Sequence, residues 1–158
     1  MKILRLSVVV FVAVSCLSSS LVAKGPTTRI EIAAPSLATP HEITDPALLN
    51  QFVVWAGPGT SVNGEESSEG FIINWRAGIS TQRAVGLPRY RISFYAKYAT
   101  RPLASQSEHL AYVVWYEPDV NGDRGYVYLP GRGDDTYVLN TATIFRGREG
   151  HWFSATDA

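Results

Sequence analysis

Cysteine occurs once among the 158 residues, as Cys16. A chain with one cysteine cannot close a disulfide within itself, and one thiol does not make a cysteine-ligated metal site. The protein therefore has to be stabilised by the packing of its core. The composition is suited to this, because 46% of the residues are hydrophobic and 11% are aromatic, unlike a disordered chain. A chain of this length predicts one domain.

An excess of charge of either sign is also missing. Lysine and arginine together number 14, and aspartate and glutamate together also number 14. Proteins that bind nucleic acid or an anionic membrane through bulk charge carry a basic excess. The balance therefore argues against a nucleic-acid partner.

The apolar run near the N terminus, SVVVFVAVSCL, is too short to span a membrane. It follows Lys2 and Arg5 and leads into the small residues of SSSLVA, an order typical of an export signal. We predict that residues 1–23 are removed by cleavage after Ala23, with cleavage after Ser20 and an uncleaved anchor as alternatives. Removal takes two basic residues from 14 and leaves 12 against 14 acidic ones.

Cys16 itself suggests another way of processing the leader. AVSC followed by SSS is similar to a bacterial lipoprotein cleavage box, in which Cys16 would be lipidated and become the first residue. Such boxes usually have a larger aliphatic residue where this chain has Ala13, so we favour the removed export signal. Attachment to a membrane is expected only if Cys16 is lipidated.

The region from Tyr90 to Leu139 predicts an antiparallel meander. It contains RYRISFYAKY, AYVVWYEP, YVYLPG and TYVLN, which are short aromatic or β-branched runs separated by Gly, Pro, Asn and Asp. The first run alternates between two faces. One face carries Tyr90, Ile92, Phe94, Ala96 and Tyr98, and the other carries Arg91, Ser93, Tyr95 and Lys97. That strand should cover a core on one side only.

Further strands are predicted at TRIEIAAPS, HEIT, GFIINW and GHWFSAT, with Phe71, Ile73 and Trp75 on one face of the third. The segment ITDPALLNQF predicts one short helix, capped by Thr44 or Asp45 and with proline in its first turn. SVNGEESSEG predicts a solvated polar loop. The expected fold is mainly β, or α+β: a single antiparallel meander domain over residues 24–158 with one short helix.

Sequence signatures of catalysis are missing. There is no GxSxG elbow, no phosphate-binding GxxxxGK[ST] loop and no HExxH, and the three histidines lie far apart in the chain. No cofactor is predicted. Glu117 and Asp119 do form a pair of carboxylates near a predicted strand end, as a glycosidase needs. A hydrolase of an extracellular polymer that uses Glu117 or Asp119 is therefore the alternative to a non-catalytic protein.

The segment DVNGDRG carries oxygen-bearing side chains at the alternate positions of a calcium loop: Asp119, Asn121 and Asp123. However, Arg124 stands at the sixth position, where the helix–loop–helix calcium motif needs glycine, and Pro130 stands at the twelfth, where it needs glutamate. Asn-Gly is a preferred pair for a tight hairpin turn. We therefore favour a turn over a metal site.

Large aromatic residues are frequent, with four tryptophans and eight tyrosines. Such residues fill β cores, but they also stack on sugars and grip peptides. A turn at Asn121-Gly122 would place Val114 and Leu129 on the core face and Trp115 opposite Tyr128 on the other. The sequence thus suggests a ligand-binding face formed by four residues: Trp115, Glu117, Tyr126 and Tyr128.

RIEIAAPSLATPHEITDP leading into FVVWAGPGT, with YVYLPG later, resembles small exported bacterial proteins of unassigned activity. The resemblance covers most of residues 24–158, and its motifs are structural turns. It implies export and indicates no chemistry. We therefore predict an exported, periplasmic or extracellular, non-catalytic binding or structural module whose partner is a protein or a polysaccharide.

Overall fold

The computed structural model describes residues 27–50, 61–62, 65–66, 69–70, 72–83, 86–97, 107–119, 124–141 and 148–156. The predictions made for the export signal, Cys16, Phe71, Tyr98, Asn121 and Asp123 lie outside these residues.

The described chain forms ten strands and two short helices. The strands are β1 (Thr27–Ala33), β2 (His41–Ile43), β3 (Ser61–Val62), β4 (Glu65–Glu66), β5 (Glu69–Gly70), β6 (Ile73–Asn74), β7 (Tyr90–Ala96), β8 (His109–Glu117), β9 (Tyr126–Tyr128) and β10 (Trp152–Ser154). The helices are α1 (Pro46–Leu49) and α2 (Tyr137–Thr141).

A six-stranded antiparallel sheet, in the order β10-β9-β8-β7-β1-β2, forms the body of the protein. Strands β7, β8 and β9 are consecutive neighbours and form three of the four strands of the predicted meander. The strand β10 continues the sheet beyond β9, and the β1–β2 hairpin extends it on the other side through β1. The mainly β fold class is therefore confirmed. The predicted polar loop instead contains the short strands β3, β4 and β5, and β3 pairs with β4 while β5 pairs with β6.

One face of the sheet carries the main hydrophobic core, as the alternation in β7 predicts. Phe94 pairs with Ile30 on one side and with Tyr112 on the other, and its ring stacks on Tyr112 at 4.7 Å between centroids. Val114 and Leu129 are fully buried, which confirms their predicted place. Each such side chain contributes about 1.5–3 kcal/mol when it is removed from water.

The opposite face is not fully exposed, so the expectation of a core on one side only is wrong. Ser93 of β7 and its cross-strand partner Val113 of β8 are buried on that face. The helix α2 lies against β8. The centre of this face is thus covered, whereas the half-buried side chains lie toward β9 and β10.

The helix predicted after Thr44 is α1, and Asp45 is its cap. The Asp45 side chain accepts a hydrogen bond from Ala47 N at 2.8 Å, and Pro46 occupies the first helical position, where its missing N–H costs nothing. Leu49 is buried in the core cluster beside β1, while Leu48 is exposed. The helix is as short as the sequence indicates.

Two predicted strands are wrong in part or in full. TYVLN forms α2, because two successive turns, in which Asp134 N donates to Gly131 O and Tyr137 N to Asp134 O, redirect the chain into helical hydrogen bonding. Trp75 begins a 3-10 turn, because the Asn74 side chain accepts from Ala77 N at 3.2 Å and ends β6 there. The described chain therefore contains α2 and a 3-10 turn in addition to the single helix that was predicted.

Within the described ranges, no helix has both the length and the apolar composition that a membrane crossing requires.

Candidate ligand-binding face

A continuous row of side chains crosses four strands on the face opposite the main core. Arg91 of β7 pairs with Trp115 of β8, Trp115 with Tyr128 of β9, and Tyr128 with Trp152 of β10. We call Trp115, Tyr128 and Trp152 the aromatic row. Neighbouring strands lie about 4.8 Å apart, so the four positions extend over about 14 Å. The predicted pairing of Trp115 with Tyr128 is confirmed.

The next position along β8 and β9 pairs Glu117 with Tyr126, which also confirms the predicted register. The four residues predicted for a ligand face are therefore brought together. Trp152 was not among them, although GHWFSAT was predicted as a strand. The pairing of Trp152 with Tyr128 could not be predicted from the sequence, because no tight turn links β10 to β9.

The rings of the aromatic row are half-buried. Tyr128 and Trp152 have their ring centroids 5.1 Å apart, with a tilt of 36°. The Tyr128 hydroxyl donates to Asp134 Oδ2 at 3.0 Å, and the Tyr126 hydroxyl donates to Asp119 Oδ2 at 3.3 Å. Partial burial, together with the neighbouring aspartate, raises the pKa of both tyrosines. Both hydroxyls are thus held protonated as donors.

Glu117 lies beneath this surface and is only 2% exposed. Its Oε1 accepts from Arg89 Nε at 2.8 Å, and its Oε2 accepts from Arg83 Nη1. Burying a carboxylate is unfavourable unless it is paired and hydrogen-bonded, and two guanidinium groups meet that need. Glu117 therefore positions the two arginines and presents no free oxygen to solvent.

The two arginines also lie near the tryptophan rings. The Arg83 guanidinium carbon lies 4.0 Å from the Trp152 ring centroid, and that of Arg89 lies 5.4 Å from Trp152 and 6.0 Å from Trp115. These are cation–π distances. The Arg89 side chain is 50% exposed and that of Arg83 is 27% exposed. Neither Arg83 nor Arg89 was predicted at this surface from the sequence.

The segment after β6 brings Arg83 to the site by pairing with β10. Ile79 forms a bridge with Phe153, and Ser80 N donates to Trp152 O at 2.8 Å. The chain therefore runs beside Trp152 before it reaches Arg83. The sequence does not predict this contact, since an ion pair between residues 34 positions apart has no local signature.

The same face carries a second ionic cluster near its β2 edge. Arg29 contacts three glutamates, Glu42 and Glu108 at 3.0 Å and Glu31 at 3.2 Å, and its guanidinium carbon lies 3.7 Å above the Tyr95 ring. Burial acts to lower the pKa of Arg29, but the hydrogen bond and charge of Glu108 outweigh it and raise that pKa. The cluster joins β2, β1 and Glu108, the residue before β8.

Of the three predicted calcium ligands, only Asp119 lies among the described residues. Its carboxylate accepts a hydrogen bond from the Tyr126 hydroxyl. In the part of the chain that the structure describes, His, Cys, Asp and Glu side chains form no group of three able to hold a metal ion.

A separate cavity of about 440 Å³ opens on the core face. Its lining is mostly apolar and includes Ile32, Tyr90, Ile92 and Pro118. Thr156 also lines it, and the buried Thr156 hydroxyl has no hydrogen-bond partner among the described residues. The cavity lies on the other side of the sheet from the aromatic row.

Comparison with protein-family models, with curated proteins and with solved structures finds no match for this chain. A fold class alone does not indicate a function, so the function has to be argued from the chemistry of the site.

Proposed function

We propose that the protein is an exported bacterial binding module, without catalytic activity, that holds an extracellular polysaccharide on its aromatic row. The export signal at residues 1–23 and the resemblance to small exported proteins support the compartment. The aromatic row supports the choice of a polysaccharide over a protein partner.

The observation that carries the proposal is the row itself. Trp115, Tyr128 and Trp152 stand side by side on adjacent strands and remain half-buried rather than enclosed in the core. Rigid aromatic rings provide a large apolar contact area and lose little conformational entropy on binding. A polymer that lies across the strands would meet one ring after another.

The carboxylates give less support to the alternative, a hydrolase that uses Glu117 or Asp119. A general acid or base has to reach the proton that it transfers. Both oxygens of Glu117 are bound by arginine beneath the surface, and Asp119 accepts from Tyr126. These contacts fit carboxylates that hold the aromatic surface in place better than carboxylates that transfer protons.

The proposal is tested by affinity electrophoresis and calorimetry of the secreted protein with a panel of soluble neutral and acidic polysaccharides. We expect binding to at least one of them, and a loss of roughly 30-fold in Trp115→Ala, about 2 kcal/mol, as for a central hot-spot tryptophan. Val138→Ala, which changes an exposed apolar residue on α2, is the control and should bind as the wild type does.

Two results would overturn the proposal. Release of new reducing ends from a polysaccharide, abolished in Asp119→Asn, would establish the hydrolase instead. Binding of a protein partner that depends on Trp115, with no affinity for any polysaccharide, would show that the row recognises a protein.

A further inference from the structure

The geometry points to a ligand that carries carboxylate groups: we infer that the polysaccharide is a polyuronate and that Arg89 pairs with its carboxylates. This inference rests on the proposed function, because it concerns the chemistry of the ligand on the same aromatic row.

The first support is the exposure of Arg89 above the tryptophans. Its guanidinium lies near both Trp152 and Trp115 and pairs with Glu117. Because Glu117 is buried while half of the Arg89 side chain is exposed, a ligand over the rings meets the arginine and not the carboxylate. A neutral sugar would gain nothing from that positive charge.

The second support is the donor geometry of Arg89. Its Nε and Nη2 lie 2.8 Å from Glu117 Oε1. A guanidinium has five N–H groups in a planar fork, so pairing with one carboxylate oxygen leaves donors for another acceptor. Such forks match the geometry of a carboxylate, and charge-assisted pairs of this kind are stronger than neutral hydrogen bonds.

The third support is Arg91, which continues the row beyond Trp115. The buried Arg91 Nε has no hydrogen-bond partner among the described residues. Buried donors are nearly always satisfied by protein, by ordered water or by a ligand. Arg91 thus adds a third positive charge, at the β7 end of the row. Arg89, which directly precedes β7, extends toward the rings from the same end.

The acidic side chains of this region lie at its margins. Asp119 and Asp134 accept from the hydroxyl groups of Tyr126 and Tyr128, at the far ends of those rings. The arrangement is therefore positive over the rings and negative at the tyrosine tips. A uronate that lies along the aromatic row would place its carboxylate at Arg89 and its hydroxyl groups toward the aspartates.

The test compares a polyuronate with the same polymer after chemical reduction of its carboxyl groups, by calorimetry at 50 mM and 300 mM salt. The wild type should bind the polyuronate at least ten times more tightly than the reduced polymer, and only the polyuronate affinity should fall with salt. Arg89→Ala should remove that preference. Arg132→Ala removes an exposed arginine from a loop outside the row and should stay within twofold of the wild type.

Arg89→Lys guards against a folding defect in Arg89→Ala, because it retains a positive charge beside Glu117. It should still lose about three- to tenfold in polyuronate affinity, since an ammonium group lacks the planar fork. Equal binding of both polymers, still sensitive to Trp115→Ala, would overturn the inference and leave the proposed function intact. Absence of binding to every polysaccharide would overturn both.

Discussion

Trp115 on β8 and Tyr128 on β9 are direct cross-strand partners on the face opposite the main core. Their neighbours along the two strands, Val114 and Leu129, are fully buried on the other face. A shift of the register by one residue would exchange the two sets. The packing of Val114 and Leu129 therefore holds Trp115 and Tyr128 outward.

Replacing Trp115 by alanine should have a modest effect on stability. Because the ring is half-buried, we expect Trp115→Ala to lower the free energy of unfolding by about 1–2 kcal/mol, compared with about 3–5 kcal/mol for the buried Phe94→Ala. Urea denaturation measures both. An equal loss in the two variants would mean that Trp115 belongs to the core.

Removing the Glu117 carboxylate should destabilise the protein more than removing a surface carboxylate. Glu117→Ala leaves two guanidinium groups without their acceptor, so we expect a loss of about 1.5–3 kcal/mol in the free energy of unfolding. Glu42→Ala removes an exposed partner of Arg29 and should cost about 0–1 kcal/mol. If chemical denaturation gives both variants the same stability, the arginine pair does not depend on Glu117.

The sheet and the aromatic pairing were predictable because they follow from local patterns. Alternation in RYRISFYAKY assigns the faces of β7, and a turn predicted at the Asn-Gly pair gives the register that joins Trp115 to Tyr128. Asp45 followed by proline likewise predicts where α1 begins.

The arginines and α2 were missed because they depend on contacts that no local pattern contains. Arg83 and Arg89 meet Glu117 from 34 and 28 positions away. TYVLN has the composition of a strand, but the Asp134 carboxylate accepts from Gly131 N at 2.6 Å in the turn that precedes it. The chain enters α2 from that turn, and propensity alone does not reveal this.

Stability should fall in acid partly through Glu108. Partial burial acts to raise the pKa of Glu108, but the hydrogen bonds from Thr28 and Arg29 outweigh it and lower that pKa below its ordinary value of 4.5. A lowered pKa in the folded state contributes stability that is present above pH 4.5 and is lost as the pH falls through the folded value.

Glu108→Gln should therefore reduce the slope of stability against pH below pH 4.5, as measured by thermal unfolding at a series of pH values. Above that pH the variant should be less stable than the wild type, because glutamine lacks the negative charge that pairs with Arg29. Identical slopes in the two proteins would show that Glu108 is not paired in the folded state.

Replacing Thr156 and Thr28 by valine should have different effects on stability. Thr156 Oγ1 is buried without a partner among the described residues, so Thr156→Val should leave the melting temperature unchanged or raise it. Thr28 Oγ1 donates to Glu108 at 2.7 Å, so Thr28→Val should destabilise by about 0.5–1.5 kcal/mol. Calorimetry of both variants checks this, and a marked loss in Thr156→Val would reveal a bound partner for that hydroxyl.

The most direct test of the binding face follows the indole N–H resonances of the tryptophans by NMR during titration with a polyuronate oligosaccharide. We expect the signals of Trp115 and Trp152 to shift with one shared binding isotherm, while that of Trp75, which is buried against Phe153, stays in place. Movement of the Trp75 signal without those of Trp115 and Trp152, or no movement of the three signals with any oligosaccharide, would contradict a ligand site on the aromatic row.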